Sequence, residues 1–189
     1  MDAFLTTERL VLREFRADDV DLVLELNGDP DVMRYVFAGP PLTRSEVVEK
    51  ILPGYLSCYE KFGGLGRWAV LERATERFVG LFILQPAAGR PSDEAELGYR
   101  FHRSAWGKGY ATEGAIALLD KGFADFGLRR IFAQAMVVNP GSRRVMEKAG
   151  MRYVRTFLQE DWPGDPIEGE EHGDVEYELT RDEWLAQKR

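Results

Sequence analysis

Apolar residues along this chain recur at every second position in some segments and at every third or fourth in others, and the exchange between these periods lays out its elements. Leu10 and Leu12 share one face of the segment 8–16, as in a half-buried strand. Asp18 opens a helix carrying Val20, Val23, Leu24 and Leu26, which Asn27-Gly28 closes, and a short helical piece runs from Asp31 to Val36. After Pro40-Pro41, Thr43 and Glu46 stand at capping-box spacing and predict a helix to about Phe62, kinked or split at Pro53.

Gly63-Gly64-Leu65-Gly66 ends this helical part. Arg67–Glu72 reads as a strand, Ala74-Thr75-Glu76 as a tight turn, and Phe78–Leu84 as an antiparallel partner apolar enough to be buried on both faces. In Ala95–Phe101, Leu97, Tyr99 and Phe101 lie opposite Glu96, Gly98 and Arg100. Ile116, Leu119, Phe123 and Phe126 then recur at helical spacing up to Gly127. A strand at Ile131–Val138, a helix from Asn139-Pro140-Gly141-Ser142 to Gly150 and an extended segment 151–158 follow. A strand at Val175–Leu179 and a second capping box, Thr180 with Glu183, complete the chain. The length of 189 residues, without repeat or linker, predicts one α/β domain over residues 1–189.

Composition narrows the function. With 44% hydrophobic and 30% charged residues the chain is of ordinary globular type, and its single cysteine, Cys58, reads as buried filler rather than a nucleophile. One cysteine excludes an intrachain disulfide, and the amino terminus lacks a basic start and apolar core, so a cytoplasmic location is expected, with no membrane association. A net charge of -7 argues against nucleic-acid binding. Between Gln159 and Leu179 stand Glu160, Asp161, Asp165, Glu168, Glu170, Glu171, Asp174, Glu176 and Glu178, with no Lys or Arg. Two readings stay open for this run: a solvated loop, or a field that attracts a cationic partner. His102 and His172 have no neighbours at metal-ligand spacing, so no metal is expected.

The segment Trp106-Gly107-Lys108-Gly109-Tyr110-Ala111-Thr112-Glu113 follows a strand and opens a helix. Unpaired amides and the helix dipole favour a phosphate there, and two glycines let the backbone come close. Neither the P-loop spacing nor the dinucleotide fingerprint is met.

The order of elements, Thr7-Glu8-Arg9-Leu10-Val11-Leu12-Arg13, the glycine loop, and Asn139-Pro140-Gly141-Ser142 through Glu147-Lys148-Ala149-Gly150-Met151 resemble the GCN5-related N-acetyltransferase (GNAT) superfamily, in the branch of the ribosomal-protein N-terminal acetyltransferases. The resemblance implies a mixed, mostly antiparallel sheet of about seven strands flanked by helices, and acetyl-CoA as co-substrate. Its pyrophosphate would lie on amides of Gly107, Lys108, Gly109, Tyr110 and Ala111, with Trp106 and Thr112 bounding the loop. Its pantetheine arm would pair with backbone at Leu97, Gly98 and Tyr99. Asn139 would touch the arm and Ser142 would lie near the sulfur, although Asn139 could merely cap its helix.

Acetyl transfer to an amine requires a base, donors for the developing negative oxygen, and a proton for the departing thiolate. Glu96 and Glu160 are the candidate bases, and by resemblance the amides near Leu97 and Gly98 are the oxyanion donors. The tyrosine that many members of the superfamily carry seven residues beyond Asn139 is replaced by Met146; the resemblance to this branch implies Ser142 as a candidate acid, directly or through water, with helix capping as the alternative, and Tyr177 stands in reserve. The expected activity is acetyl transfer from acetyl-CoA to a primary amine, such as a protein N-terminus or a cationic small molecule, by direct attack in a ternary complex. Homodimers are common in such families. The alternatives are an inactive acyl-CoA sensor, which Met146 would fit, and an interaction module binding a basic partner through the 159–179 loop.

Overall fold

In the computed structural model, which describes residues 3–158 and 166–188, strand pairing accounts for most of the architecture. The strands are β1 (Leu5–Thr6), β2 (Leu10–Glu14), β3 (Gly66–Glu72), β4 (Phe78–Gln85), β5 (Glu94–Phe101), β6 (Arg130–Met136), β7 (Arg152–Phe157) and β8 (Asp174–Thr180). They form one sheet in the order β1-β2-β3-β4-β5-β6-β8-β7, antiparallel throughout except for the parallel pair β5 and β6. The eighth strand is β1, two residues long, too short to show an alternation in the sequence. Helices α1 (Val20–Gly28), α2 (Pro30–Met33), α3 (Arg44–Glu46) and α4 (Leu52–Lys61) precede β3, and α5 (Tyr110–Ala124), α6 (Pro140–Lys148) and α7 (Arg181–Gln187) follow β5, β6 and β8.

Both faces of the sheet are covered. Trp68, Phe82, Leu84 and Leu97 pack with Leu118 and Phe123 of α5, while Ala69, Leu71 and Leu81 pack with Val23, Leu26 and Tyr55 of the opposite layer. Gly114 brings α5 down onto the sheet, since a Cβ there would stand 2.2 Å from the Phe82 ring. The capping boxes at Thr43 and Thr180 form as the sequence implies. The helix over residues 44–61 passes Pro53 by a π-turn at Val47–Ile51, one extra residue that accommodates the missing N–H. Asp18 does not open α1. Asp19 takes the N-cap position and spends its carboxylate on the buried Arg13 guanidinium, at 2.6 and 2.8 Å, and on the Arg16 amide.

The closed end of the β5–β6 pair is held by charge. Arg130 on β6 donates to Glu94 of β5 at 2.9 Å, and to Glu176 and Glu178 of β8 at 2.6 and 2.5 Å. All four residues are buried. Arg90 and Arg155 add contacts to Glu176, and Arg152 adds one to Glu178. Glu176 and Glu178 of the acidic run are therefore counterions within β8 rather than loop charges.

Burial alone would raise the Glu176 carboxyl, but hydrogen bonds from Arg130, Gln134 and Arg155 outweigh it and bring its pKa to about 2. A depressed carboxylate stabilises the fold above its unfolded pKa and loses that contribution as pH falls toward its folded one. By linkage this is worth about 3 kcal/mol at neutral pH. Urea unfolding at successive pH values is expected to show stability falling between about pH 4.3 and pH 2, and Glu176→Gln to flatten that fall.

Candidate active site

Strands β5 and β6 pair at only three positions, Glu94 with Arg130, Ala95 with Ile131 and Glu96 with Phe132. Beyond Glu96, β5 stays on β4 as far as Phe101, whereas β6 stays on β8 as far as Met136. The two diverge and leave a cavity of about 740 Å³, lined by Glu96, Leu97, Gly98 and Tyr99 on one side and by Ala133 to Met136 on the other. Asn139 and Ser142 at the start of α6 also line it.

The glycine loop lies where the chain leaves β5. Gly107 and Gly109 have φ of 72° and 81°, left-handed values that favour glycine, and a Cβ added at Gly107 would meet nothing within 4 Å. Gly109 is the N-cap of α5 and offers no side chain to the first-turn amides. Helices α3, α6 and α7 differ, because Thr43, Asn139 and Thr180 satisfy an amide of their first turns. Of these helix starts, α5 therefore presents free N–H donors, on a helix of 15 residues, at an open loop. This fits a phosphate group, and Gly107 to Thr112 are the residues that would hold it.

The amino-terminal motif has a role that its sequence does not disclose. Glu113, in the first turn of α5, accepts from the Thr7 hydroxyl at 2.6 Å, the Arg9 amide at 2.9 Å and the Arg9 Nε at 2.6 Å. Arg9 Nη1 also donates to the Lys108 carbonyl at 2.9 Å, and its guanidinium stands 4.9 Å over the Tyr110 ring. The β1–β2 turn thus bolts the loop in place. Burial favours the neutral acid, but the Thr7 and Arg9 contacts outweigh it and hold the Glu113 carboxyl below the usual range. Trp106 is half exposed and its indole N–H donates to the Phe101 carbonyl at 2.7 Å. Tyr110 is buried and its hydroxyl donates to Glu72.

Asn139 Oδ1 accepts from the Ser142 amide at 3.0 Å, so it caps α6 and lines the cavity at once. The Tyr99 hydroxyl lies 2.9 Å from the Ser142 carbonyl and 3.0 Å from Ser142 Oγ. Burial raises the Tyr99 phenol, only partly offset by the Ser142 contact, so its proton stays on. Tyr99, expected to act through its backbone, thus also contributes its hydroxyl, a role that no sequence pattern marks. Glu96 faces the cavity with no hydrogen bond to its carboxylate among the described residues. Burial raises its pKa, against the opposing pull of Arg67 and Arg90, with Glu176 adding to the rise.

Tyr177 is not part of this site. It is 3% exposed, its hydroxyl donates to Glu147 at 2.9 Å, and it lies outside the cavity lining, so packing on β8 between β6 and β7 removes it as an acid. Glu160 lies outside the described residues. Met146 is 1% exposed in the core. Cys58 is half-buried rather than buried, with Sγ 3.1 Å from the Gly54 carbonyl. His102 packs edge-on against Phe78. No described helix is long and apolar enough to cross a membrane.

A sheet parted beside an uncapped, glycine-led helix is the arrangement that the resemblance to acyl-coenzyme A-dependent N-acyltransferases implies. The acetyltransferase (GNAT) domain model matches residues 9–152, and the chain belongs to the GNAT acetyltransferase family. It is 32% identical over 191 residues to an FsC-acetyl coenzyme A-N(2)-transacetylase of Aspergillus fumigatus, covering 98% of this chain and 79% of that protein. A GNAT-family acetyltransferase from Bacillus anthracis superposes with a TM-score of 0.74 at 28% identity, covering 94% of this chain and 98% of that one. The spermidine N-acetyltransferase of Vibrio cholerae, solved with CoA and spermine, shares the fold at a TM-score of 0.71 and 20% identity, over 95% and 99% of the two chains. The protein is an acetyl-CoA-dependent N-acetyltransferase.

Glu113→Ala should free the loop from the β1–β2 turn and weaken CoA binding about tenfold by calorimetry, the scale of one charge-assisted contact. An unchanged affinity would mean that the loop holds its shape without the bolt.

Proposed function

We propose that the acceptor is a primary amine, attacked directly in a ternary complex, with Glu96 as base and Ser142, backed by Tyr99, as proton donor. The observation that carries this reading is an unpaired, desolvated carboxylate beside the point where β5 and β6 part. Acetyl-CoA supplies the acetyl thioester when bound. An alkyl ammonium has a pKa of about 10, and moving its proton to an ordinary carboxylate costs about 8 kcal/mol. Burial narrows that difference from both sides, raising the carboxyl and lowering the ammonium. Glu96 accepts the proton. A backbone amide on the open edge of β5, at Leu97 or Gly98, donates to the oxygen on which negative charge develops. The Ser142 hydroxyl gives its proton to the departing sulfur and takes one from the newly acetylated nitrogen, which has a second proton to lose, and the Tyr99 hydroxyl fixes its position.

A hydroxyl pair at Tyr99 and Ser142 supplies what Met146 cannot, so the methionine gives no reason to expect an inactive sensor. The acidic run supports a basic protein partner less than its composition implies, because Glu176 and Glu178 are neutralised within the fold and Glu168 pairs with Arg34.

Glu96→Gln is expected to lower kcat roughly a hundred- to ten-thousand-fold, with CoA affinity retained. A base acts only when unprotonated, so wild-type kcat/KM should fall as pH drops through a limb lying above the ordinary carboxylate range, and Glu96→Gln should abolish that limb. Ser142→Ala should lower kcat by about a hundredfold, with little change in KM for acetyl-CoA. Steady-state thiol release across pH checks all three, and an unaltered limb in Glu96→Gln would assign the base elsewhere.

A further inference from the structure

Below the parted strands, on the face that carries Glu96, a second cavity of about 650 Å³ is walled by α4 and the sheet. Its charged lining residues are Lys50, Lys61, Arg67 and Arg100, with no Asp or Glu among them. It meets the first cavity at Val36 and Arg100, which line both. Arg100 donates to Asn27 Oδ1 and approaches the Met33 sulfur at 3.5 Å, and Arg67 stands 4.8 Å over the Tyr55 ring. Neither guanidinium meets a carboxylate among the described residues, although both are half-buried. Elsewhere in this protein the well-buried guanidiniums are matched, Arg13 by Asp19 and Arg130 by three glutamates. Two half-buried arginines without a counterion are costly unless an anion joins them.

We propose that the acceptor carries a carboxylate as well as its amine, held by Arg67 and Arg100 in the second cavity while the amine reaches Glu96. The proposal rests on the acetyl-transfer reading above and names its substrate class. Register places the groups. Glu96, Gly98 and Arg100 share one face of β5, and Arg67, Ile83 and Gly98 form a row across β3, β4 and β5. Gly98 thus sits between base and arginine without a side chain of its own. Positions four apart on a strand are roughly 13 Å apart at Cα, and the side chains at both ends use part of that span, leaving room for an acceptor of amino-acid to dipeptide size. Guanidinium forks match the planar carboxylate, and Lys50 and Lys61 at the mouth add long-range attraction. The acidic rim of the first cavity, with Glu170 and Glu171, favours the ammonium end. A cationic acceptor is thereby refined to a zwitterionic one.

The test is calorimetric binding of matched amines to the full chain saturated with CoA, using 4-aminobutyrate against 4-aminobutanamide, glycylglycine against glycylglycinamide, and 3-aminopropylphosphonate. Carboxylates should bind about tenfold or more tightly than their amides. Arg67→Gln, which loses a ring contact and the electrostatic pull on Glu96, should collapse that ratio toward unity, and Arg100→Lys, which keeps the charge without the fork, should reduce it. The ratio within each variant is the readout, so any effect of Arg67 on Glu96 cancels. Equal binding of acid and amide, discrimination that survives Arg67→Gln, binding by none of the probes, or tightest binding by the phosphonate would overturn the proposal. Thiol release with acetyl-CoA separates the two readings. Discrimination without turnover leaves the anion site standing and removes the reading in which the amine held there is deprotonated at Glu96 and acetylated, whereas amides turned over as fast as acids do the reverse.

Discussion

Everything at the active site depends on parallel pairing that stops after three residues. Up to Glu96 and Phe132, β5 and β6 are one sheet, and Arg130 ties them to β8 through Glu94, Glu176 and Glu178. Beyond that point each strand follows its antiparallel neighbour, β5 with β4 and β6 with β8. The right-handed twist of each half then carries them apart. The buried ion cluster sits at the closed end, where separation would strand a guanidinium among carboxylates, so the fork is fixed in place. From it follow a cavity, a stretch of β5 edge without a strand partner, and a junction beside which a carboxylate is desolvated.

The two halves are rejoined by contacts of different kinds. On one face, the Tyr99 hydroxyl meets Ser142 at the start of α6 and bridges the open end. Above it, the start of α5 is clamped from the chain's amino terminus by Thr7, Arg9 and Glu113. On the other face, Arg100 reaches α1 at Asn27 and borders both cavities. The glycine loop, the Tyr99 and Ser142 hydroxyls and the cavity beside α4 are thus supported from three separate elements, all referred to β5.

Much of this was legible in the sequence because it rests on local physics. The period-two pattern of Ala95–Phe101, the capping boxes at Thr43 and Thr180, and the glycine-led start of α5 all depend on near neighbours. Contacts between residues far apart in the chain leave no such local pattern. Glu113 meets Arg9 across more than a hundred positions, and Glu176 looks like one more charge of an acidic loop until β8 is set beside β6. Tyr177 shares its residue type with a proton donor, but its strand turns the hydroxyl to Glu147. Arg67 and Arg100 carry no motif. Their meaning lies in the lack of an ion-paired carboxylate among the described residues, which only three dimensions reveal.

Amide hydrogen exchange with and without CoA shows whether the parted edge of β5 receives the cofactor's arm while the uncapped start of α5 receives its phosphates. That placement predicts new protection at Gly107 to Thr112 and at those amides of Leu97 to Tyr99 that do not already bond to β4, with Glu94 to Glu96 unchanged because they lie where β5 and β6 are already paired. Protection absent from both segments at saturating CoA, or confined to the cavity beside α4, would contradict it.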